Sequence, residues 1–345
     1  MSEITPLVRK NILSLKPYSC ARDEFKGEAE AYLDANENPL NSPYNRYPDP
    51  LQLEVKKRIA AIKGVHPEQI FLGNGSDEAI DLIFRVFCEP KIDNVVAIDP
   101  TYGMYQVSAD INDVEYRKVR LNNDFSLDAA RVLAAVDTHT KAVFLCSPNN
   151  PTANLLNREQ ILKIVNGFNG LTIIDEAYID FSSEKSWLDV LNEYPKLIIL
   201  QTFSKAWGLA GVRLGMAFAS PEIIQLYNKV KYPYNINVLT QQLVMSQLTQ
   251  AERKTGWVKL LINERTRIIE RFGQISLIQA IYPTDANFVL VKVPDANAVY
   301  QFLVAKGIIV RNRNTVTLCE GCLRITVGIE SENELLLSAI EQFSV

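Results

Sequence analysis

The chain has 345 residues, 47% of them apolar and 22% charged, with 36 Lys and Arg against 40 Asp and Glu for a net charge of −4. That balance excludes a disordered polar chain and offers no basic surface for nucleic acid. No run approaches the ~20 apolar residues of a membrane span, and MSEITPLVRK has no apolar core of signal-peptide length, so the soluble cytoplasm is the expected location.

The length suits two domains. The first 35 residues read as an irregular arm. LEVKKRIAAIKG (53–64) reads as a helix, with Asp49 to cap it, Pro50 at its first position and Gly64 at its end. IFLGNGSDEAIDLIFRVF (70–87) reads as a short strand, a glycine turn and a helix with Ala79, Leu82, Ile83 and Val86 on one face. Apolar runs then recur: NVVAI (94–98), AVFLC (142–146), LTIID (171–175), LIIL (197–200) and GMAFA (215–219). Helical patterns separate most of them, such as NREQILKIVNGF (157–168), which Asn157 and Gln160 can cap. Runs apolar on both faces that alternate with helices predict an α/β fold, a mostly parallel sheet covered by helices on both sides.

A long helical stretch over 235–272, broken near Gly256, leads to a changed pattern. ANFVLVKV is a strand, Asp295 opens a helix that Gly307 closes, IIVRN and LRITVG are strands, and Ser331 with Glu334 forms a capping box for the last helix. These predict a second, smaller α+β domain. The expected division is an arm over 1–35 that also contributes to the small domain, a large domain over 36–265 and a small domain over 266–345.

Five cysteines, at 20, 88, 146, 319 and 322, are too few and too scattered for a disulfide framework. Cys319-Glu-Gly-Cys322 has metal-like or redox-like spacing but no second pair, and His66 and His139 are far away, so a hairpin turn at Glu320-Gly321 is its expected structure, ahead of zinc or thiol redox chemistry, and no metal site is expected.

Ligands of open α/β sheets bind outside the carboxyl ends of the strands. Polar residues at those ends are Gly75, Ser76, Asp77, Tyr102, Asn150, Asp175, Tyr178, Thr202, Ser204, Lys205 and Arg213. GNGSDEAI opens a helix with unpaired N–H groups that suit a phosphate, though Ser76 or Asp77 can equally serve as a cap. Asp175, at the end of a buried strand, needs a cation: either a protein side chain or a protonated ring nitrogen. Lys205 follows LIILQTFS, where burial and neighbouring cations lower an amine's pKa and make it nucleophilic. Gly208 and Gly211 let backbone approach a ligand, and Arg213 adds a fork for phosphate.

Asp175-x-x-Tyr178, then Ser204-Lys205 with Arg213 eight residues beyond the lysine, and Asn150-Pro-Thr upstream, resemble fold-type I pyridoxal-phosphate aminotransferases. KPYSCARDE, DANENP, NRYPDP, GNGSDEAIDLIFRVFCEP, PTYGMY, SPNNPT, SKAWGLAGVRLG, GIIVRNRN and GCLRITVG extend the resemblance, in family order, over nearly the whole chain, and are similar in particular to the branch that acts on L-histidinol phosphate. The resemblance implies pyridoxal 5'-phosphate as cofactor, held covalently by Lys205. It implies that Asp175 partners the pyridine nitrogen, that Tyr178 and Asn150 bind the 3-hydroxyl, and that Tyr102 stacks on the ring. Ser76, Asp77, Thr202, Ser204 and Arg213 would form the phosphate cup, with Gly75 leading into it. Tyr47 would reach the phosphate of a neighbouring subunit, which implies a homodimer with shared sites. Tyr18, Asn36, Arg311 and Arg324 would face the substrates, histidinol phosphate and 2-oxoglutarate or glutamate, in histidine biosynthesis. No nucleic acid or membrane partner is implied.

One departure stands out. The family continues Asn-Pro-Thr with glycine, and here Ala153 stands instead, at a cost of roughly 1 kcal/mol if the backbone there has positive φ. Rival expectations are an aromatic aminotransferase, a threonine-phosphate decarboxylase and a cofactor-binding regulator without turnover. The last would want a basic DNA-binding module, of which the sequence shows none.

Overall fold

The computed structural model describes residues 2–19 and 29–343. Seven strands form the larger sheet: β1 (Ile70–Asn74), β2 (Asn94–Asp99), β3 (Glu115–Arg120), β4 (Thr140–Cys146), β5 (Leu171–Asp175), β6 (Leu197–Thr202) and β7 (Leu214–Phe218). Four form the smaller: β8 (Ala280–Ile281), β9 (Phe288–Lys292), β10 (Arg311–Asn312) and β11 (Cys322–Thr326). The helices are α1 (Lys10–Ser14), α2 (Leu53–Lys63), α3 (Ser76–Phe87), α4 (Met104–Ile111), α5 (Ala129–Ala134), α6 (Arg158–Gly167), α7 (Pro221–Val230), α8 (Val238–Leu248), α9 (Ala251–Phe272), α10 (Ala296–Ala305) and α11 (Glu330–Glu341).

The large sheet runs β1-β7-β6-β5-β4-β2-β3. It is parallel from β6 to β3, while β7 is antiparallel to both β6 and β1. Successive side chains leave opposite faces of a strand, and both faces are buried. Ile98, Leu145, Ile174 and Ile199 point into one core with Ile161 and Ile164 of α6. Ala97, Phe144, Ile173 and Leu200 point into the other with Ile83 and Phe87 of α3 and Tyr227 of α7. The arm residues Ile4, Val8 and Ile12 pack into that second core. The small sheet is antiparallel in the order β10-β11-β9-β8, and Val289, Val291, Leu323 and Ile325 pack on Ile268 and Phe272 of α9 and on α10 and α11. A short apolar cluster of Ala153, Tyr178, Phe181, Val258 and Phe288 joins the two sheets beside the cleft between them.

Caps explain most boundaries. Gly64 ends α2 in the left-handed conformation at φ 70°. Asp49 Oδ2 accepts from Leu53 N at 2.6 Å, so the cap acts from a distance and α2 starts beyond Pro50. Asn157 accepts from Gln160 N and Asp295 from Asn297 N and Ala298 N. At α11, Glu332 rather than Glu334 closes the turn, accepting from Ile329 N at 3.0 Å, while Glu334 pairs with Arg267. The expected break at Gly256 is absent; α8 ends at Leu248 and Gly256 lies inside α9.

Candidate active site

The ends of β5 and β6 meet the start of α3 and the loop before β7. There they border a cleft of about 720 Å³ whose opposite wall is the small sheet. Gly75, Ser76, Asp77, Tyr102, Asn150, Asp175, Tyr178, Thr202, Ser204, Lys205, Arg213, Arg311 and Arg324 all line it, so these sequence-derived residues converge from six parts of the chain.

The first corner is an anion cradle. Gly75 turns at φ 72° and α3 begins at Ser76, so the first N–H groups of the helix point out unpaired. Gly75 N donates to Arg213 O at 2.9 Å, which ties the turn to the loop before β7. Gly215 must be glycine: a Cβ there would lie 2.1 Å from Ser76 N and 2.2 Å from the Gly75 carbonyl carbon. Thr202 Oγ1 and Ser204 Oγ are 3.1 Å apart, and the Arg213 guanidinium lies 3.5 Å from Asp77 Oδ2. Helix dipole, hydroxyls and guanidinium together suit a dianion.

The second corner is a buried carboxylate. Asp175 is 3% exposed, accepts from Tyr105 OH at 2.7 Å and from Ala177 N at 3.0 Å, and has no salt bridge among the described residues. Burial raises its pKa, against those hydrogen bonds. The charge of Lys205 offsets part of that rise without forming a salt bridge to Asp175, which leaves the carboxylate able to take a cationic group in the cleft.

Lys205 stands between the corners, just beyond β6. Its Nζ lies 5.4 Å from the Tyr178 ring centroid and has no salt bridge among the described residues. Burial lowers its pKa first, and repulsion from Arg324 adds to that. Tyr102 OH donates to Asp77 Oδ1 at 3.0 Å, and the Tyr102 ring packs edge-on against Tyr105 at 5.6 Å. The far wall is cationic. Arg311 and Arg324 are register partners on β10 and β11, and Arg324 donates to Asn150 Oδ1.

Three expected residues lie elsewhere in the single chain. Tyr18 is 71% exposed, Asn36 sits in the 30–50 segment at φ 53°, and Tyr47 stacks on Tyr234 at 4.4 Å; none lines the cleft. Ala153 does take φ 70° and is fully buried, so alanine occupies a backbone conformation that glycine meets without strain. Cys319-Glu-Gly-Cys322 is a tight turn with Gly321 at φ 76°; both thiols are buried and free, and no metal-binding cluster occurs among the described residues. Cys20 lies outside the described residues.

Sequence reasoning missed Arg313, which lines the cleft, and Tyr105, which is fully buried and donates to Asp175. Tyr105 follows Tyr102 by three positions, a spacing that puts both on one side of a helical turn. Arg313 follows Arg311 by two, the spacing of one strand face.

The aminotransferase class I and II family model matches residues 14–340. A histidinol-phosphate aminotransferase of Bacteroides thetaiotaomicron is 57% identical over 344 residues, covering 99% of both chains. One of Parabacteroides distasonis is 55% identical over 345 residues, covering 100% of both. Among solved structures, the histidinol-phosphate aminotransferase of Sinorhizobium meliloti in complex with pyridoxal-5'-phosphate superposes with a TM-score of 0.79 at 24% identity, over 89% of both chains.

Proposed function

Because the chain belongs to the aminotransferase class I and II family, we propose that it moves the amino group of L-histidinol phosphate to 2-oxoglutarate, giving imidazole-acetol phosphate and glutamate, in histidine biosynthesis. The observation that carries this reading is a cleft with two separate anion sites, one at α3 and one on the small sheet, flanking an amine and a buried carboxylate. Near-identical length and high identity to histidinol-phosphate aminotransferases support the choice of substrate.

Pyridoxal phosphate fits the residues present. The Ser76 and Asp77 backbone, Thr202, Ser204 and Arg213 would hold its phosphate, Tyr178 and Asn150 its 3-hydroxyl, and Tyr102 its ring face. When bound, it supplies an aldehyde that condenses with amines and a protonated ring that takes up the electron pair left as the substrate Cα loses its proton. Asp175 would face that ring nitrogen and favour its protonated form. Lys205 would hold the cofactor, and its amine, when free, would take the substrate Cα proton and return it one carbon away. Its lowered pKa keeps the amine ready to accept a proton. The arginine wall orients the donor by its phosphate and, in the second half-reaction, the acceptor by its carboxylates.

The partner in this reading is a second copy of the chain, in the cytoplasm, with Tyr47 completing the neighbour's site. Tyr44, Tyr47, Leu53, Tyr232 and Leu239 are exposed apolar side chains on segments tied by the Gln52–Asn235 and Lys231–Pro50 hydrogen bonds, which supports an interface there. The large and small domains would divide within α9, near residue 265.

An amino-donor screen with 2-oxoglutarate tests the reading. Histidinol phosphate is expected to yield glutamate far faster than phenylalanine. Carbon dioxide from threonine phosphate without glutamate, or no turnover with any donor, would overturn it.

A further inference from the structure

Three guanidiniums, those of Arg311, Arg313 and Arg324, line one wall of the cleft, and none of them forms a salt bridge among the described residues. Arg311 is exposed to water, while Arg313 and Arg324 are partly buried. Arg324 has Asn150 as an acceptor. Arg313 differs from both: its Nε is buried and has no hydrogen-bond partner. A buried donor without an acceptor is costly, and natural structures keep few of them. Burial and the like charges of Arg324 and Arg311 push the Arg313 pKa down to about 10, which leaves it charged at neutral pH in a cluster without a salt bridge among the described residues.

The two substrates put different demands on such a wall. Glutamate and 2-oxoglutarate bring two separate carboxylates, each carrying one charge and met by one fork. A phosphate ester carries about −1.5 to −2 at pH 7, with three acceptor oxygens, and can engage two forks at once. We propose that Arg313 is a specificity-determining residue, which clasps the donor's phosphate together with Arg324 and separates phosphorylated from unphosphorylated amines. The proposal rests on the transamination reading above. Arg324 serves both anionic groups. Arg313 acts chiefly on the dianion, beside Arg311 and Arg324 on the same wall.

The test uses the holoenzyme and Arg313→Gln. Single-turnover kcat/KM is measured for histidinol phosphate, histidinol and glutamate, with inorganic phosphate as a competitor of the glutamate half-reaction. Histidinol phosphate is expected to lose about 10–10²-fold and histidinol almost nothing, so their ratio collapses, while glutamate loses under about 10-fold. Inhibition by inorganic phosphate is expected to weaken about 10-fold or more. An unchanged ratio of histidinol phosphate to histidinol, or equal losses for histidinol phosphate and glutamate, would overturn the role of Arg313. Failure of the unmutated enzyme to use histidinol phosphate would instead overturn the transamination reading, and phosphate inhibition then decides for or against Arg313 by itself. Arg313→Lys keeps the charge and removes the fork; it is read in the same way if Arg313→Gln does not fold, with a smaller loss of the ratio expected.

Discussion

Asp175 is a buried carboxyl with no salt bridge among the described residues, and its burial has a measurable consequence in the cofactor-free protein. Its pKa is raised in the fold, mainly by burial. The folded state therefore binds its proton more tightly than the unfolded chain does. Stability is greatest below the unfolded carboxylate range and is lost as pH rises towards the folded pKa. Cofactor-free Asp175→Asn is accordingly expected to melt above the parent at neutral to alkaline pH and closer to it in acid. With cofactor bound that advantage should vanish, and turnover should fall by about 10²–10⁴-fold. Equal melting temperatures at all pH values would mean that Asp175 stays protonated or finds another partner. For Lys205, borohydride reduction and peptide mapping should find the pyridoxyl group on this lysine alone. Lys231 is a poor candidate, because its Nζ already donates to the carbonyls of Pro50, Tyr232 and Pro233. Label on Lys229 or Lys231 would defeat the assignment. Asp175 and Lys205 were legible because a charge at the end of an apolar run is conspicuous. Tyr105 and Arg313 were not: a tyrosine among tyrosines and an arginine in a polar turn carry no local anomaly, and only the folded contacts single them out.

Strands and caps show where local pattern suffices. NVVAI, AVFLC, LTIID and LIIL are all central, buried on both faces, and their sequences say so. EYRKVR escaped notice as β3 because it lies at the sheet edge, with mostly exposed or half-buried side chains. Gly256 misled because glycine costs a helix interior only about 1 kcal/mol, and α9 offsets that by burying Val258, Ile268 and Phe272. The direction of β7 was also invisible, since GMAFA reads the same whichever way it runs. That direction matters, because it brings Gly215 against the first turn of α3. Gly215→Ala is expected to displace Ser76 N, at about 1–3 kcal/mol for the added carbon, and to weaken cofactor affinity by at least ~10-fold. Fluorescence titration of the cofactor would check it; unchanged affinity would mean that the cradle lies elsewhere.

The two sheets, α9 and the cleft between them form a unit that a second copy would complete. Sedimentation should find a dimer. Mixing inactive Lys205→Ala with impaired Tyr47→Ala subunits should restore activity, because one site of each mixed pair would carry neither change. No recovery would confine each site to its own chain. Residues 40–50 by themselves suggest no such role, which rests on the family resemblance, since nothing local tells a partner-facing tyrosine from a solvent-facing one. The sheet order has a further consequence, for the time course of synthesis. β1 is made early, yet its hydrogen-bonding neighbour is β7, so the cradle at Gly75 closes only after the chain has been extended past Phe218. Until then β1 has no partner in the sheet, and α3 has no Arg213 loop beside it. The arginine wall arrives later still, with β10 and β11. Contacts this distant in sequence form slowly, because the entropy of closing a long loop is lost before they repay it. A nascent chain therefore emerges with no grip on cofactor through more than half its length, and a ligand that binds only the finished site will pull the last docking steps forward by mass action.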